Sequence, residues 1–217
     1  MFIHKHPYEP FIKDSTEKLI VGTLPPPRFS TGNLLPNDVD FCYGSYYNSL
    51  WKFIDAIYQL NLRYDNSQEA IEERKSFLIQ YKIGVCDIVA QGEREKIDAS
   101  DLGLRNIKLR DLVGNLRKYP SVKQLLFIGG NSKNGPEYFF RKHLRSYDIK
   151  LKLVSDEIPR VHEFELDRRT IQTVSLTSSS GSANRAIGSM PLYKQLKAKN
   201  PKFTTFDFRV MQYREYF

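Results

Sequence analysis

The side chains in this sequence that could do chemistry together are the amides Asn48, Asn131 and Asn184, the carboxylate Asp87, and the hydroxyls of Thr23 and of the run Thr177-Ser178-Ser179-Ser180. Amides carry the donor and acceptor pairs that match base edges. The nearby aromatics Phe41, Tyr43, Tyr46, Tyr47 and Trp51 offer faces on which a base can stack. The segment from Ser175 to Arg185 has little side-chain bulk and many backbone N–H groups, so it can approach a phosphate or a base closely. A Ser/Gly run is as often a flexible linker. Its position directly after the β-rich run from Ile171 to Leu176 favours a site.

Other chemistries find little support. Gly22 to Arg28 lacks the spacing of a P-loop or a dinucleotide fingerprint. His4, His6, His143 and His162 are scattered, so neither a Ser-His triad nor a metal set is indicated, although His4 and His6 are close enough to share a metal. Cys42 and Cys86 are too few for a cysteine-based cluster and read as buried, reduced thiols. No cofactor is expected.

The elements that must position these residues follow from periodicity. Residues 18–23 read as a buried strand stopped by Pro25-Pro26-Pro27. Helices are expected over 49–60 and 68–81, and a second strand over 82–89. A polar excursion follows over 91–106, then a helix over 109–119 and a third strand over 122–128. Pro136 opens a helix reaching Arg145, residues 149–154 form a strand or edge, and 172–176 a further strand. Helices over 191–199 and 205–217 close the chain. Strands alternating with helices predict an α/β fold of three layers, helices on both faces of a mainly parallel, four-stranded sheet. In such sheets ligands sit beyond the carboxyl ends of the strands. There the segments 23–25, 129–131, 177–184 and the excursion 91–106 would converge.

A chain of 217 residues suits one domain, 1–217. The excess of 33 Lys and Arg over 25 Asp and Glu, net +8, favours a polyanionic partner, nucleic acid first, over plain solubility. No run has signal-peptide or transmembrane character, so a cytoplasmic monomer with no membrane partner is expected. With the amides and aromatics, this charge suits a pocket for an extrahelical base in DNA.

Four segments in order carry a resemblance to the uracil-DNA glycosylase superfamily, nearest its hypoxanthine-type and mismatch-specific branches. They are Leu19 to Pro25, a strand ending in Gly-x-x-Pro; Tyr43 to Trp51, which resembles Tyr-x-His-Pro-x-Asn-x-Phe-Trp; Gly84 to Ala90 with Glu93-Arg94-Glu95 and Asp98; and Ser175 to Ala186, which resembles Leu-Pro-Ser-Thr-Ser-Pro-Ala-Asn. Together they span about 18–200. The chain departs from the pattern at Pro26, where Gly is usual, at Ser45-Tyr46, where His-Pro is usual, and at Thr177 and Ser180-Gly181, which replace prolines. Thr23 stands where other branches have an acid or Asn, and the second motif has no His.

The resemblance implies hydrolysis of an N-glycosidic bond, with Asn48 and Thr23 catalytic. Gly22, Leu24, Pro25, Tyr43, Asn131, Thr177, Ser178, Ser179, Ser180, Asn184 and Arg185 would then hold base and DNA, Arg185 on a phosphate. It implies no metal. Simpler roles stand beside these: Asn48 as a helix cap, Asp87 as a buried structural acceptor rather than an acid, Thr23 as strand filler, Trp51 as core, and Phe41 as an alternative to Tyr43 for stacking. The lost motif residues also fit a relative that binds nucleic acid without excising a base, or more remotely a domain for small nucleosides.

Overall fold

The computed structural model describes residues 1–95, 103–129 and 132–217. Strands β1 (Phe2–Lys5), β2 (Lys18–Val21), β3 (Ile83–Val85), β4 (Val89–Arg94), β5 (Arg105–Leu109), β6 (Gln124–Ile128), β7 (Lys152–Ser155), β8 (Arg160–Leu166) and β9 (Arg169–Leu176) alternate with helices. The helices are α1 (Pro27–Thr31), α2 (Leu50–Tyr58), α3 (Gln68–Gln80), α4 (Leu112–Lys118), α5 (Pro136–Leu144), α6 (Asn184–Ser189), α7 (Pro191–Lys199) and α8 (Thr205–Arg214).

The central sheet has the order β3-β2-β6-β9-β8-β7. Its first four strands are parallel, as the sequence predicts. Two further strands, β8 and β7, continue it antiparallel. A second, antiparallel sheet of order β1-β4-β5 lies apart.

Side chains alternate across a strand, and the two faces divide accordingly. Ile20, Leu126, Ile128, Val174 and Leu176 pack with Trp51, Phe53, Ile54, Phe77, Leu78 and Tyr213, which belong to α2, α3 and α8. Leu19, Val21, Leu125, Phe127 and Ile171 pack on the opposite face with Leu112, Val113, Leu116, Phe139 and Phe140 of α4 and α5. The result is the expected three layers.

From β2 the chain leaves by way of α2 and α3 to β3 on one side, and from β6 it leaves by way of α5 toward the other. The connections therefore diverge between β2 and β6, the point at which open α/β sheets form a crevice.

Several expectations are corrected. The single strand over 82–89 is two, β3 and β4, with Cys86, Asp87 and Ile88 between them. The described ends of the 91–106 excursion are strand, β4 and β5; their charge reflects a ladder with one solvated face, not a loop at the sheet edge. α1, β1, β8 and α6 are additional to the elements that periodicity indicates. Asp98 lies outside the described residues.

Candidate active site

Beyond Val21 the chain still runs beside the segment after β3: Cys86 N donates to Ile20 O and Ile88 N to Gly22 O, each at 2.9 Å. This brings Asp87, buried, against Gly22, whose N–H donates to Asp87 Oδ1 at 2.8 Å. The Tyr43 hydroxyl donates to the same oxygen at 2.8 Å. A Cβ at residue 22 would overlap Tyr43 Oη and lie 2.8 Å from Asp87 Oδ1, so this meeting of three segments requires glycine. Burial, and then the charge of Asp87, hold the Tyr43 phenol far above its ordinary pKa, so it stays a donor.

The other oxygen of Asp87 takes a bond from His6, which carries no signal in the sequence that places it here. His6 Nε2 is 2.9 Å from Asp87 Oδ2, and the His6 side chain is 3 % exposed. The histidines are therefore not all remote from the site. Asp87 is engaged by three donors, which matches the structural-acceptor role.

The loop before α2 is held by Asp38, which is fully buried and accepts from Leu35 N, Tyr46 N and the Arg28 guanidinium. Asn48 is not the N-cap of α2, which is Ser49 with no side-chain cap; its Oδ1 accepts from Leu50 N at 2.9 Å in an Asx turn, while its Nδ2 has no hydrogen bond among the described residues. Asn48 also forms an isolated antiparallel bridge with Ser180, and Ser49 N donates to Ser179 O at 3.0 Å. The second motif segment is thereby docked on the first turn of α2.

That segment is no linker. From beneath, α8 grips it: Arg209 Nη1 donates to Ser178 O and Ser180 O at 3.1 Å, and Tyr213 Oη donates to Thr177 O at 2.6 Å. Thr177 N and Oγ1 both donate to Gln212 Oε1 at 2.9 Å. Nothing in the sequence singles out Arg209, Gln212 or Tyr213, because their helix lies about thirty residues away and reads as ordinary.

These contacts enclose a pocket of about 240 Å³ at the carboxyl ends of β2 and β6. Gly22, Thr23, Leu24, Pro25, Tyr43, Asn48, Ser178, Ser179 and Ser180 line it. Pro26, Arg28, Gly44, Ser45, Tyr47, Asp87 and Ile128 complete the wall. Three expected residues are not in the lining. Thr177 is buried on Gln212, Asn184 accepts from Arg209 Nη2 and Thr205 Oγ1, and Arg185 is exposed in α6. Asn131 lies outside the described residues. Phe41 is buried in the core against Trp51, so it is not a stacking platform. Among the described residues no group of three or more His, Cys, Asp or Glu is placed to hold a metal, and no helix is long and apolar enough to cross a membrane.

Chemically, the pocket offers amide and hydroxyl donors, backbone N–H groups and one carboxylate already engaged by three donors. It suits recognition of a planar polar group and stabilisation of developing negative charge more than strong base catalysis.

Two comparisons with known proteins give matches. The hypoxanthine DNA glycosylase of Methanosarcina barkeri is 27 % identical over 155 residues, covering 70 % of this chain and 85 % of that protein. The solution NMR structure of a candidate uracil DNA glycosylase from Methanosarcina acetivorans superposes with a TM-score of 0.56 at 20 % identity, over 95 % of this chain and 98 % of that one. No family model matches. The fold is similar to that of this candidate uracil DNA glycosylase. Both similarities, one in sequence and one in fold, are to proteins of the kind that the ordered motifs resemble.

Proposed function

We propose that this protein is a monofunctional DNA glycosylase that hydrolyses the N-glycosidic bond of a deaminated base, uracil or hypoxanthine, in DNA, as a step of base excision repair. The observation that carries the proposal is the pocket itself. Segments 22–26, 43–48 and 178–180, far apart in sequence, meet around it together with Asp87. A base turned out of the helix would enter this pocket. As the glycosidic bond breaks, the base leaves as an anion and the sugar becomes an oxocarbenium-like cation. Backbone N–H groups near Leu24 and the Asn48 amide would hold the anion, and the strand's own phosphates would stabilise the cation. Asn48 and Thr23 would position the attacking water, and Tyr43 would stack on the base.

Oligonucleotides carrying uracil, hypoxanthine or xanthine test the reading directly. Abasic sites should form in at least one; no product at high enzyme excess would sink the proposal.

A second reading is a relative that binds DNA without excising a base. It is favoured by the commitment of Asn48 Oδ1 to Leu50 N, which leaves that oxygen less able to hold a water. It predicts salt-sensitive binding with no base release. Loss of wild-type activity in Asn48→Ala would argue against it.

A further inference from the structure

Arg28 lines the pocket, and its side chain is 21 % exposed. A guanidinium has five N–H donors. Nε donates to Asp38 Oδ2 at 2.7 Å, and Nη2 donates to Asp38 Oδ1 at 2.8 Å and to Ser45 Oγ at 2.7 Å. Both remaining N–H groups are on Nη1, which has no hydrogen bond among the described residues.

The support behind this group is unusually complete. Burial alone would raise the Asp38 pKa, yet Arg28 and the N–H groups of Tyr46 and Leu35 hold it below the ordinary range, so Asp38 stays a carboxylate. The guanidinium carbon also lies 5.1 Å from the centre of the Phe29 ring and 5.7 Å from that of Tyr47, contacts that restrict its plane. Asp87, the carboxylate lining the same pocket, has both oxygens bonded to Gly22, Tyr43 and His6. A salt bridge serving stability alone has no need to leave Nη1 without a partner in a residue that lines the pocket.

We propose that Arg28 binds a phosphate of the DNA strand whose nucleotide occupies the pocket, with Asp38 and Ser45 fixing the guanidinium for it. The inference rests on the reading of the pocket as one for an extrahelical nucleotide. It deepens that reading by naming the side chain that would grip the strand's backbone. The two N–H groups of Nη1, held in a fixed plane by Asp38 and Ser45, can meet phosphate oxygens with less loss of freedom than a lysine ammonium.

The test measures binding, not cleavage. An oligonucleotide with a tetrahydrofuran abasic analogue is titrated with the full chain by fluorescence anisotropy. It is prepared with natural phosphates, and with a neutral methylphosphonate on either side of the analogue. Wild type should lose about tenfold to a hundredfold in affinity for one of the two neutralised strands. Arg28→Gln should bind the natural strand correspondingly weakly and be indifferent to the same neutralisation. Arg28→Lys, which keeps the charge without the fork, should lose most of this coupling and guards against a folding defect in the first variant.

The proposal is overturned if wild type is insensitive to both methylphosphonates, if the losses from substitution and neutralisation simply add, or if the analogue is not bound at all. Coupling at Arg28 without cleavage of any damaged base would end the glycosylase reading and leave the phosphate site standing.

Discussion

His6 Nε2 and Asp87 Oδ2 are 2.9 Å apart, although 81 residues separate them in sequence. The Tyr8 backbone holds the other ring nitrogen: His6 Nδ1 lies 2.9 Å from Tyr8 O and 3.1 Å from Tyr8 N. Asp87 is then fixed on three sides, and through it Gly22 and Tyr43, which line the pocket. His6→Ala strips one donor from a buried carboxylate and should let this floor shift. The single-turnover excision rate is expected to fall roughly tenfold to a hundredfold, with the affinity for an abasic analogue nearly unchanged. His6→Gln, which keeps an N–H donor at similar reach, should recover most of the rate. An unchanged rate in His6→Ala would falsify a positioning role.

Gly22 is where three segments touch. A methyl group there would meet Tyr43 Oη and Asp87 Oδ1. Gly22→Ala is therefore expected to destabilise by about 1–3 kcal/mol, the usual cost of overpacking, and to displace the Tyr43 ring. Adding Tyr43→Phe removes the nearer of the two obstructions and should restore part of the stability, not all, because Asp87 Oδ1 still lies 2.8 Å from the new carbon. Urea denaturation of the single and double variants measures the coupling; strictly additive losses would refute the proposed clash.

Arg209 is buried and binds four oxygens: those of Ser178, Ser180 and Thr205 in the backbone and Asn184 Oδ1. Arg209→Met should release the 178–184 segment while filling much of the same space. We expect amide hydrogen exchange to rise there first and base excision to fall further than global stability does. Uniformly faster exchange over the whole chain would show instead that Arg209 simply holds α8 in place.

Much of this arrangement is legible in the residues. Leu19 and Val21 face one layer and Ile20 the other, and β6 repeats the pattern, so the parallel centre of the sheet announces itself. The strand ends and the serine segment are visible because small residues and prolines follow apolar runs. β8 escapes because His162, Glu163 and Glu165 interrupt its apolar positions, where pairing with β9 supplies the strand's stability. β1 is a four-residue strand whose partner β4 is itself charged. His6, Arg28 and Ser45 escape for a different reason: a single polar residue carries no periodic signal, and only tertiary contact with Asp87 or Asp38 reveals its task. The grip of α8 on the serine segment is likewise long-range, so an exposed linker and a pinned wall read alike in sequence.

Glu137 on α5 is fully buried beneath the end of β9. It accepts from Ser175 Oγ at 2.5 Å, Arg141 Nε at 2.8 Å and Arg160 Nη2 at 2.9 Å. Burial pushes its pKa up, but these donors and the two positive charges win and leave it below the ordinary glutamate value. Because the folded-state pKa is depressed, the unfolded chain binds more protons through this range. The contribution is complete above the unfolded value near 4.5 and is lost as pH falls through the lower, folded value. Glu137→Gln should cost about 1–3 kcal/mol at pH 7, since it weakens the charge-assisted bonds of two guanidiniums that keep some access to water. The same variant should flatten the acid limb of the urea midpoint against pH below about 4.5. An acid limb identical to that of wild type would mean that other carboxylates govern acid unfolding.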